Sequence, residues 1–228
     1  MQYIIEPAPV SSLAVMGGEA RFPVHRIYCI GRNYAEHAKE MGAEAVSRGN
    51  PVFFQKPADA IVTGSDVPYP SVTRELHHEV EMVVALAHGG RDIDPARALE
   101  CVLGYGVGLD LTRRDLQAAA KAKGLPWDTA KGFDGSAPVS ALRAASEIGH
   151  PSRARLCLRV NGEIRQDTDI SDMIFSVADI IAELSKLFEL KSGDLVFTGT
   201  PAGVGPLGRG DAFVAELEGI ASLRGRII

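Results

Sequence analysis

Cysteine is scarce in this chain of 228 residues, and the cysteines that occur form no motif. They are Cys29, Cys101 and Cys157, an odd number with no CxxC spacing. This pattern argues against a disulfide framework. Each cysteine lies among apolar neighbours, so we expect reduced thiols in the core of a cytoplasmic protein.

Long apolar runs and basic clusters are also missing. The longest apolar stretches are far shorter than the roughly 20 residues that span a bilayer. The first residues, "MQYIIEPAPV", lack the basic start and apolar centre of a signal peptide. The net charge is −5, and basic residues are scattered singly or in pairs, which does not favour nucleic-acid binding. We therefore expect a cytoplasmic protein with neither a membrane nor a nucleic acid as partner.

No low-complexity tract, long-period repeat or linker divides the sequence, which predicts one main domain. Short alternating stretches between glycines and prolines predict many strands, such as "RIYCIG", "PVFFQKP" and "EVEMVVALA". The predicted fold class is α+β and mainly β, with a few helices laid on the sheets. Residues 1–25 are predicted to be a leader packed on the core, with a weak strand at residues 3–5. Residues 26–228 are predicted to form the main domain.

Local patterns predict one hairpin and the starts of four helices. "LCLRVNGEIRQ" contains two alternating segments joined by Asn-Gly, the favoured type I′ turn. "SVADIIAELSKLFEL" is strongly amphipathic. The candidate caps are Asn33 before a helix that ends at Gly42, Asp94 before "PARALECV", Thr112 with Asp115, and Ser176 with Asp179.

Two carboxylates stand in a stretch that otherwise predicts a buried strand. In "HHEVEMVVAL", Glu79 and Glu81 point to one face because strand side chains alternate. The rest of that face and the opposite face are apolar, as in a strand covered on both sides. Two like charges are costly there unless a cation compensates them. The alternative is a strand that emerges into water at its first residues and exposes both carboxylates.

A third carboxylate follows a strand with a glycine-lined face. In "LGYGVGLDL", Gly104, Gly106 and Gly108 share a face with Asp110, which indicates close approach by another backbone or by a ligand. Carboxylate oxygens suit Mg²⁺, Ca²⁺ or Mn²⁺ rather than zinc. Together with the two glutamates, Asp110 is therefore a candidate ligand of a hard cation, with solvated strand ends as the alternative.

A histidine and a carboxylate lie three residues apart in "HAKE". On a helix, His37 and Glu40 share a face, so the carboxylate could orient and polarise the imidazole. A histidine held in this way is a common general base for water. The alternative is an ordinary ion pair on an exposed helix.

Three further segments carry candidate binding groups. Arg114 and Gln117 share one side of a predicted helix. Gly199 and Thr200 of "FTGTPAGVGP" predict a tight loop that offers hydroxyl and backbone N–H groups to an anion. This loop lacks the GK[ST] ending of a P-loop, which argues against a nucleotide. Lys131 in "WDTAKGFDGSAPVS" is a candidate electrophilic cation. Ordinary β-turns and a surface lysine are the alternatives for the last two.

Taken together, these segments resemble the fumarylacetoacetate hydrolase family. The matching segments run in family order from about Arg26 to the end: "GRNYAEHAKEMG", "FQKPADAIV", "HHEVEMVVAL", "GYGVGLDLTRRDLQ", "GLPWDTAKGFDGSAPVS", "VNGEIRQ", "MIFS" and "GDLVFTGTPAGVGP". The leader looks most like that of the fumarylpyruvate hydrolases of bacterial gentisate-type aromatic degradation. The resemblance implies a mixed β-roll or barrel with flanking helices and a homodimer.

The resemblance also implies a role for each candidate residue. It implies that Glu79, Glu81 and Asp110 hold Mg²⁺ or Mn²⁺, with Ca²⁺ possible in vitro. It implies a His–Glu pair on a lid helix. The implied catalytic residues are His37, Glu40, Lys131 and Gln117, and the implied substrate-binding residues are Arg114, Gly199 and Thr200.

The implied reaction is hydrolysis of a carbon–carbon bond in a dicarboxylic β-diketo acid, with 3-fumarylpyruvate giving fumarate and pyruvate. His37, oriented by Glu40, would deprotonate the attacking water, and Lys131 and Gln117 would face the developing oxyanion. Two alternatives stay open. One is an acylpyruvase, oxaloacetate decarboxylase or 2-oxo acid isomerase of the same fold, which would use the same enolate. The other, from a different class, is a non-catalytic module that binds small acids.

Overall fold

Strands make up most of the regular structure, and short helices lie between them. The computed structural model describes residues 3–40 and 50–228. Its strands are β1 (Ser12–Ala14), β2 (Arg21–Pro23), β3 (Ile27–Gly31), β4 (Val52–Lys56), β5 (Ile61–Val62), β6 (Asp66–Val67), β7 (Leu76–His78), β8 (Val80–Leu86), β9 (Val102–Leu109), β10 (Thr112–Arg113), β11 (Ala137–Pro138), β12 (Arg143–Ala144), β13 (Arg155–Val160), β14 (Glu163–Asp169), β15 (Leu195–Phe197), β16 (Gly205–Pro206), β17 (Ala212–Leu217) and β18 (Ala221–Ile227).

The helices are few and short. They are α1 (Ala35–Glu40), α2 (Arg114–Ala122), α3 (Asp128–Lys131), α4 (Ala145–Ile148) and α5 (Val177–Leu187), with 3₁₀ turns at Ala58–Ala60, Ala98–Cys101 and Ile170–Asp172. No helix among the described residues has both the length and the apolar character needed to cross a membrane. The predicted class, mainly β with a few flanking helices, is confirmed.

A mixed six-stranded sheet lies at the centre, in the order β12-β9-β8-β15-β3-β4. Strand β8 pairs antiparallel with both β9 and β15, and every residue of β8 is buried. The side chains of Met82 and Val84 belong to the larger apolar cluster, whereas Val83 and Ala85 belong to a second cluster. The alternation predicted for this strand therefore places apolar cores on both of its faces.

A second, five-stranded sheet packs over one face of the first, in the order β14-β13-β17-β18-β6. Its β13–β14 hairpin turns at Asn161 and Gly162, whose φ angles are +52° and +86°, as a type I′ turn requires. Helix α5 closes the larger core. Its N-terminus has the predicted capping box, because the Ser176 hydroxyl accepts the Asp179 N–H and the Asp179 carboxylate accepts the Ser176 N–H.

The leader contributes a small hairpin, β1–β2, to the opposite face of the central sheet. Leu13 and Phe22 are buried in the second apolar cluster, and the Ala14 carbonyl accepts the Leu142 N–H at 2.8 Å. Residues 3–5 form no strand, contrary to expectation, and their side chains are exposed. Without a neighbouring strand to pair with, a short apolar segment has no hydrogen-bond partner that would fix it as a strand.

The glycine-lined face of β9 is approached by backbone. A Cβ atom at Gly104 would lie 2.3 Å from the Arg143 carbonyl oxygen, and one at Gly108 would lie 2.9 Å from the Pro138 carbonyl oxygen. The residues 138–144 therefore cross this face so closely that side chains do not fit. The glycine pattern predicted close approach by either another backbone segment or a ligand, and in the structure it is a backbone segment that lies against this face.

Two predicted helix starts differ from the structure. "DPARALECV" forms only a 3₁₀ turn, although the Asp94 carboxylate does accept the Ala96 N–H at 2.9 Å. Thr112 and Asp115 form no capping box: the Asp115 carboxylate accepts the Thr73 hydroxyl and the Arg74 N–H instead. The Asp115 carboxylate, which the local pattern predicted to cap the helix, therefore binds a loop that is distant in the sequence. Gly42, the predicted end of the first helix, lies outside the described residues.

Candidate metal centre

Antiparallel pairing of β8 with β9 brings the three predicted metal ligands to one end of the central sheet. Glu79 directly precedes β8, Glu81 pairs with Gly108, and the Asp110 N–H donates to the Glu79 carbonyl at 2.8 Å. All three side chains point away from the larger core. One carboxylate oxygen from each lies within 4.8 Å of the others, and all three residues are buried.

Two buried lysines and one partly buried arginine lie against these carboxylates. The Lys131 ammonium is 2.7 Å from Glu79 Oε2 and 2.6 Å from Asp110 Oδ2. The Lys56 ammonium is 2.9 Å from Asp110 Oδ1, and the Arg114 guanidinium donates to Glu79 Oε1. Burial alone would raise the pKa of Glu79, but Lys131 and Arg114 outweigh it and hold that pKa well below its usual range.

Glu81 has no such partner. Its carboxylate accepts the Gly199 N–H at 2.7 Å, and no cationic side chain of the residues 3–40 and 50–228 lies within ion-pair distance of it. Burial raises the pKa of Glu81 well above its ordinary value, and the neighbouring carboxylates of Asp110 and Glu79 raise it further. The electrostatic environment of Glu81 is therefore that of a group that lacks a cation.

Asp110 offers a second indication that a cation belongs here. Its Oδ1 atom is buried without a hydrogen-bond partner among the described residues, although the Lys56 ammonium lies 2.9 Å away. Oδ1 thus lies close to a positive charge but accepts no hydrogen bond from the described residues. Three convergent buried carboxylates, one of them with an oxygen that accepts no hydrogen bond among the described residues, fit a hard divalent cation such as Mg²⁺ or Mn²⁺.

His37 and Glu40 lie on one face of α1, as the spacing predicted. His37 is buried, and its Nδ1 atom lies 3.3 Å from Glu40 Oε2. The same carboxylate accepts the Gly203 N–H, which ties α1 to the loop before β16. Burial lowers the pKa of His37, although Glu79 and Glu40 act in the opposite direction. A buried, neutral imidazole contradicts the alternative of an ordinary exposed pair.

Arg114 and Gln117 are neighbours on α2. The Arg114 guanidinium donates to Gln117 Oε1 at 2.6 Å, and Gln117 is buried. Because the Oε1 atom is already used, the Nε2 group of Gln117 is the donor that remains for a ligand.

The loop after β15 forms hydrogen bonds with Glu81 and with the backbone of β8. The Gly199 N–H donates to the Glu81 carboxylate, so this amide positions a candidate metal ligand. The Thr200 hydroxyl accepts from Gln166 Nε2 at 2.8 Å and donates to the Val80 carbonyl at 2.9 Å. That hydroxyl has no further proton to donate, and only a lone pair remains for a ligand. The substrate-binding roles of Gly199 and Thr200 stay predictions.

One cavity brings most of the predicted site residues together. It is lined by His37, Glu79, Glu81, Asp110, Arg114, Gln117, Lys131 and Thr200, whereas Glu40 and Gly199 do not line it. Six residues to which the sequence assigned no role also line it: Ile30, Gly31, Arg32, Phe54, Lys121 and Trp127.

Two buried polar residues, Lys56 and Asn33, hold the centre in place in a way that no sequence pattern predicted. Lys56 donates to the Leu111 carbonyl at 3.2 Å and also to the Lys131 carbonyl. Asn33 was predicted to cap a helix, but its side chain bonds the Phe175 backbone and the Thr198 carbonyl instead. A lysine at the end of an apolar strand, in "PVFFQKP", was the available signal for Lys56.

The comparisons with known proteins agree with this arrangement. Residues 26–228 match the family described as fumarylacetoacetate (FAA) hydrolase C-terminal. A mitochondrial oxaloacetate tautomerase of Mus musculus is 47% identical over 202 residues, which are 88% of this chain and 90% of that protein. An oxaloacetate tautomerase of Escherichia coli is 43% identical over 200 residues, 87% of this chain and 90% of the relative.

A solved structure is similar over the whole length. It is the fumarylpyruvate hydrolase of Pseudomonas aeruginosa in complex with Mn²⁺ and pyruvate. Its TM-score is 0.97 at 46% identity, with 100% of this chain and 99% of that chain covered. Because one relative is mitochondrial, the cytoplasmic location stays a prediction.

The family match covers nearly nine-tenths of the chain, the relatives are more than 40% identical over most of their length, and the buried carboxylates lie together as the family resemblance implied. The chain belongs to the fumarylacetoacetate hydrolase family of enzymes.

Proposed function

We propose that this chain binds Mg²⁺ or Mn²⁺ at Glu79, Glu81 and Asp110 and forms the enolate of a 2-oxo dicarboxylic acid there. The observation that carries the proposal is the balance of charge in the cavity. Three buried carboxylates are matched in number by three cationic side chains, the buried Lys56 and Lys131 and the partly buried Arg114. A divalent cation would leave the centre with two excess positive charges, which a dianionic substrate neutralises.

A bound divalent cation would supply Lewis-acid stabilisation of the negative charge on a 2-oxo oxygen. The residues of the chain supply the remaining functions. Gln117 offers its Nε2 donor to the substrate, and Lys131 keeps a positive charge beside the reacting carbonyl. Its burial alone would lower the pKa of Lys131, but Asp110 and Glu79 reverse this and raise it, so the ammonium stays protonated.

His37 is the residue of the cavity that can accept a proton near pH 7. Burial keeps its imidazole neutral, and Glu40 fixes the ring through Nδ1, which leaves Nε2 as the base. In tautomerisation of oxaloacetate, His37 would take a proton from C3 of the keto form and release it to solvent, and the 2-oxo oxygen would take up one proton from solvent to give the enol. The names of the two tautomerases that are 43–47% identical to this chain support this reaction as the first candidate.

Hydrolysis of fumarylpyruvate is the second candidate, and two observations favour it. His37 Nδ1 lies 3.3 Å from Glu40 Oε2, a contact that suits a general base for water, and the similar structure that spans the whole chain is a fumarylpyruvate hydrolase holding Mn²⁺ and pyruvate. Water would attack the C4 carbonyl, and the C3–C4 bond would break. Fumarate and the enolate of pyruvate would leave, and His37 would take the proton of the water.

Both reactions should be assayed on one preparation of the protein. Oxaloacetate tautomerisation is followed by the loss of enol absorbance, and fumarylpyruvate cleavage by the formation of fumarate and pyruvate. Each is measured with Mg²⁺, with Mn²⁺ and after exhaustive chelation. We expect metal-dependent turnover of at least one substrate and its loss in Glu81→Gln. Turnover that survives chelation with no metal found by elemental analysis, or no turnover of either substrate with metal present, would refute the proposal.

A further inference from the structure

The cavity of the metal centre continues past the carboxylates to a rim with two further cations. Arg32 follows β3 and is exposed, and Lys121 lies on α2 and is half-buried; both line the cavity. Among the described residues, no carboxylate lies within ion-pair distance of either side chain. Two neighbouring cations without a counter-ion favour the binding of an anion between them.

Helix α2 sets the spacing between the centre and this rim. Arg114, Gln117 and Lys121 lie at intervals of three and four residues, so they share one face of the helix. Arg114 contacts Glu79 at the metal centre. Lys121 lies two turns further on, roughly 10 Å along the axis at about 1.5 Å per residue. One helix face thus presents a cation to each end of the cavity.

Two aromatic rings form the wall between the ends. The ring centroids of Phe54 and Trp127 are 6.0 Å apart. The Lys131 ammonium lies 5.0 Å from the Phe54 centroid, and the Lys121 ammonium lies 5.1 Å from the Trp127 centroid. The wall therefore runs continuously from the centre to the rim. Its surface suits the apolar middle of a molecule that is charged at both ends.

The environment of Lys121 agrees with an anion site. Burial lowers the pKa of Lys121, and the positive charges of Arg114 and Arg32 lower it further. A carboxylate placed between Arg32 and Lys121 would relieve this repulsion and form charge-assisted hydrogen bonds.

We propose that Arg32 and Lys121 form a subsite for the distal carboxylate of a 2-oxo dicarboxylic acid, while Phe54 and Trp127 pack against the chain between its two ends. The inference rests on the proposed function for the 2-oxo end only. Three carbon–carbon bonds separate the carboxylates of oxaloacetate, and six separate those of fumarylpyruvate. The spacing along α2 fits the longer separation better.

A matched pair of ligands tests the subsite without catalysis. 2-Oxoheptanedioate and 2-oxoheptanoate have the same chain length and the same 2-oxo acid end, and only the first has a distal carboxylate. Their affinities for the Mn²⁺-loaded protein are measured by calorimetry, with oxalate as a probe of the metal end. We expect the wild type to bind the dioate about 10- to 100-fold more tightly than the monoacid, since a hydrogen bond to a charged group contributes about 1.5–3 kcal/mol and 1.4 kcal/mol is tenfold.

Variants then assign this preference to residues. Arg32→Met and Lys121→Met should each reduce it about tenfold, and the double variant should abolish it, with oxalate affinity unchanged within about twofold. Lys123→Met, an exposed lysine near the end of the same helix, is the control and should leave the preference intact.

Each outcome decides between the subsite and the proposed function. A double variant that still prefers the dioate, or that loses oxalate and dioate affinity equally, would overturn the subsite. A wild type that binds oxalate but shows no preference for the dioate would also overturn it and leave the proposed function standing. A wild type with the preference that converts neither oxaloacetate nor fumarylpyruvate would support the subsite and refute the proposed function.

Discussion

Replacing Glu81 by glutamine should stabilise the metal-free protein and at the same time remove its response to a divalent cation. Glu81 is 1% exposed, and its carboxylate accepts one backbone N–H, from Gly199 at 2.7 Å. The amide oxygen of the substituted side chain can accept the same N–H. The substitution therefore removes a buried charge that has no cationic partner among the described residues and keeps the hydrogen bond.

The size of the effect follows from the cost of burying an uncompensated polar or charged group. We expect a gain of about 1–3 kcal/mol in the free energy of unfolding of the metal-free protein. For a chain of this length, each kcal/mol corresponds to roughly 2–4 °C in Tm. The wild type should gain about 2.7 kcal/mol in Mg²⁺ or Mn²⁺ at 100 times the Kd, whereas the variant should gain far less.

The assay is thermal and urea unfolding of both proteins, in chelator and in excess Mn²⁺. Glu216→Gln makes the same chemical change at an exposed position of β17 and should shift the free energy of unfolding by less than about 0.5 kcal/mol. A metal-free Glu81→Gln protein that is less stable than the wild type would refute the argument that this carboxylate lacks a cation. An undiminished response of the variant to Mn²⁺ would refute its role as a ligand.

Four further outcomes are expected. His37→Ala should reduce the rate of fumarylpyruvate hydrolysis by about 10²–10⁴, and Glu40→Gln should reduce it less, because the histidine then remains. If His37→Ala lowered the rates of fumarylpyruvate hydrolysis and of oxaloacetate decarboxylation equally, His37 would not act through water. Burial holds the pKa of His37 below 6.5, so the imidazole should become protonated, and the turnover rate should fall, only when the pH drops below 6.5. A rate that is already half lost above pH 6.5 on acidification would contradict this. Gln166→Leu should cost about 2–4 kcal/mol of unfolding free energy in urea titrations, because it removes the acceptor of the Val80 N–H and the donor to the Thr200 hydroxyl. A loss below about 1 kcal/mol would argue against this network. The dimer predicted from the family should appear in light scattering at micromolar concentration, where a monomer alone would count against it.

The carboxylate centre could be predicted from the sequence because strand geometry is local. Alternation alone places Glu79 and Glu81 on one face, and the same rule places Asp110 on the glycine-lined face of β9. The two segments needed only to pair as neighbours for the three side chains to meet. The β13–β14 turn and the cap of α5 were predictable for the same reason, since each depends on residues within a few positions of one another.

Contacts between distant segments could not be predicted in this way. Lys56 reaches Asp110 although β4 lies at the edge of the sheet, with β15 and β3 between it and β8, and nothing in "PVFFQKP" predicts that order. Asp115 failed as a cap because Thr73, 42 residues earlier, donates to it at 2.5 Å. Arg32 and Lys121 meet at one rim for a similar reason. Local sequence patterns indicate which side chains are candidates for the site. The order of the strands in the sheet determines which of these side chains come into contact.

Lys56 and Lys131 explain how three carboxylates can be buried before a divalent cation binds. Lys56 is fixed by the Leu111 and Lys131 carbonyls and reaches Asp110, whereas Lys131 spans Asp110 and Glu79. With Arg114 on Glu79, the carboxylates and the cationic side chains are equal in number, although no cation contacts Glu81 among the described residues, and we therefore expect the chain to fold without the metal. A bound divalent cation would add two positive charges to this centre, and a dianionic ligand would neutralise them. Tight binding of a dicarboxylate should therefore require the metal, while the folded chain should not.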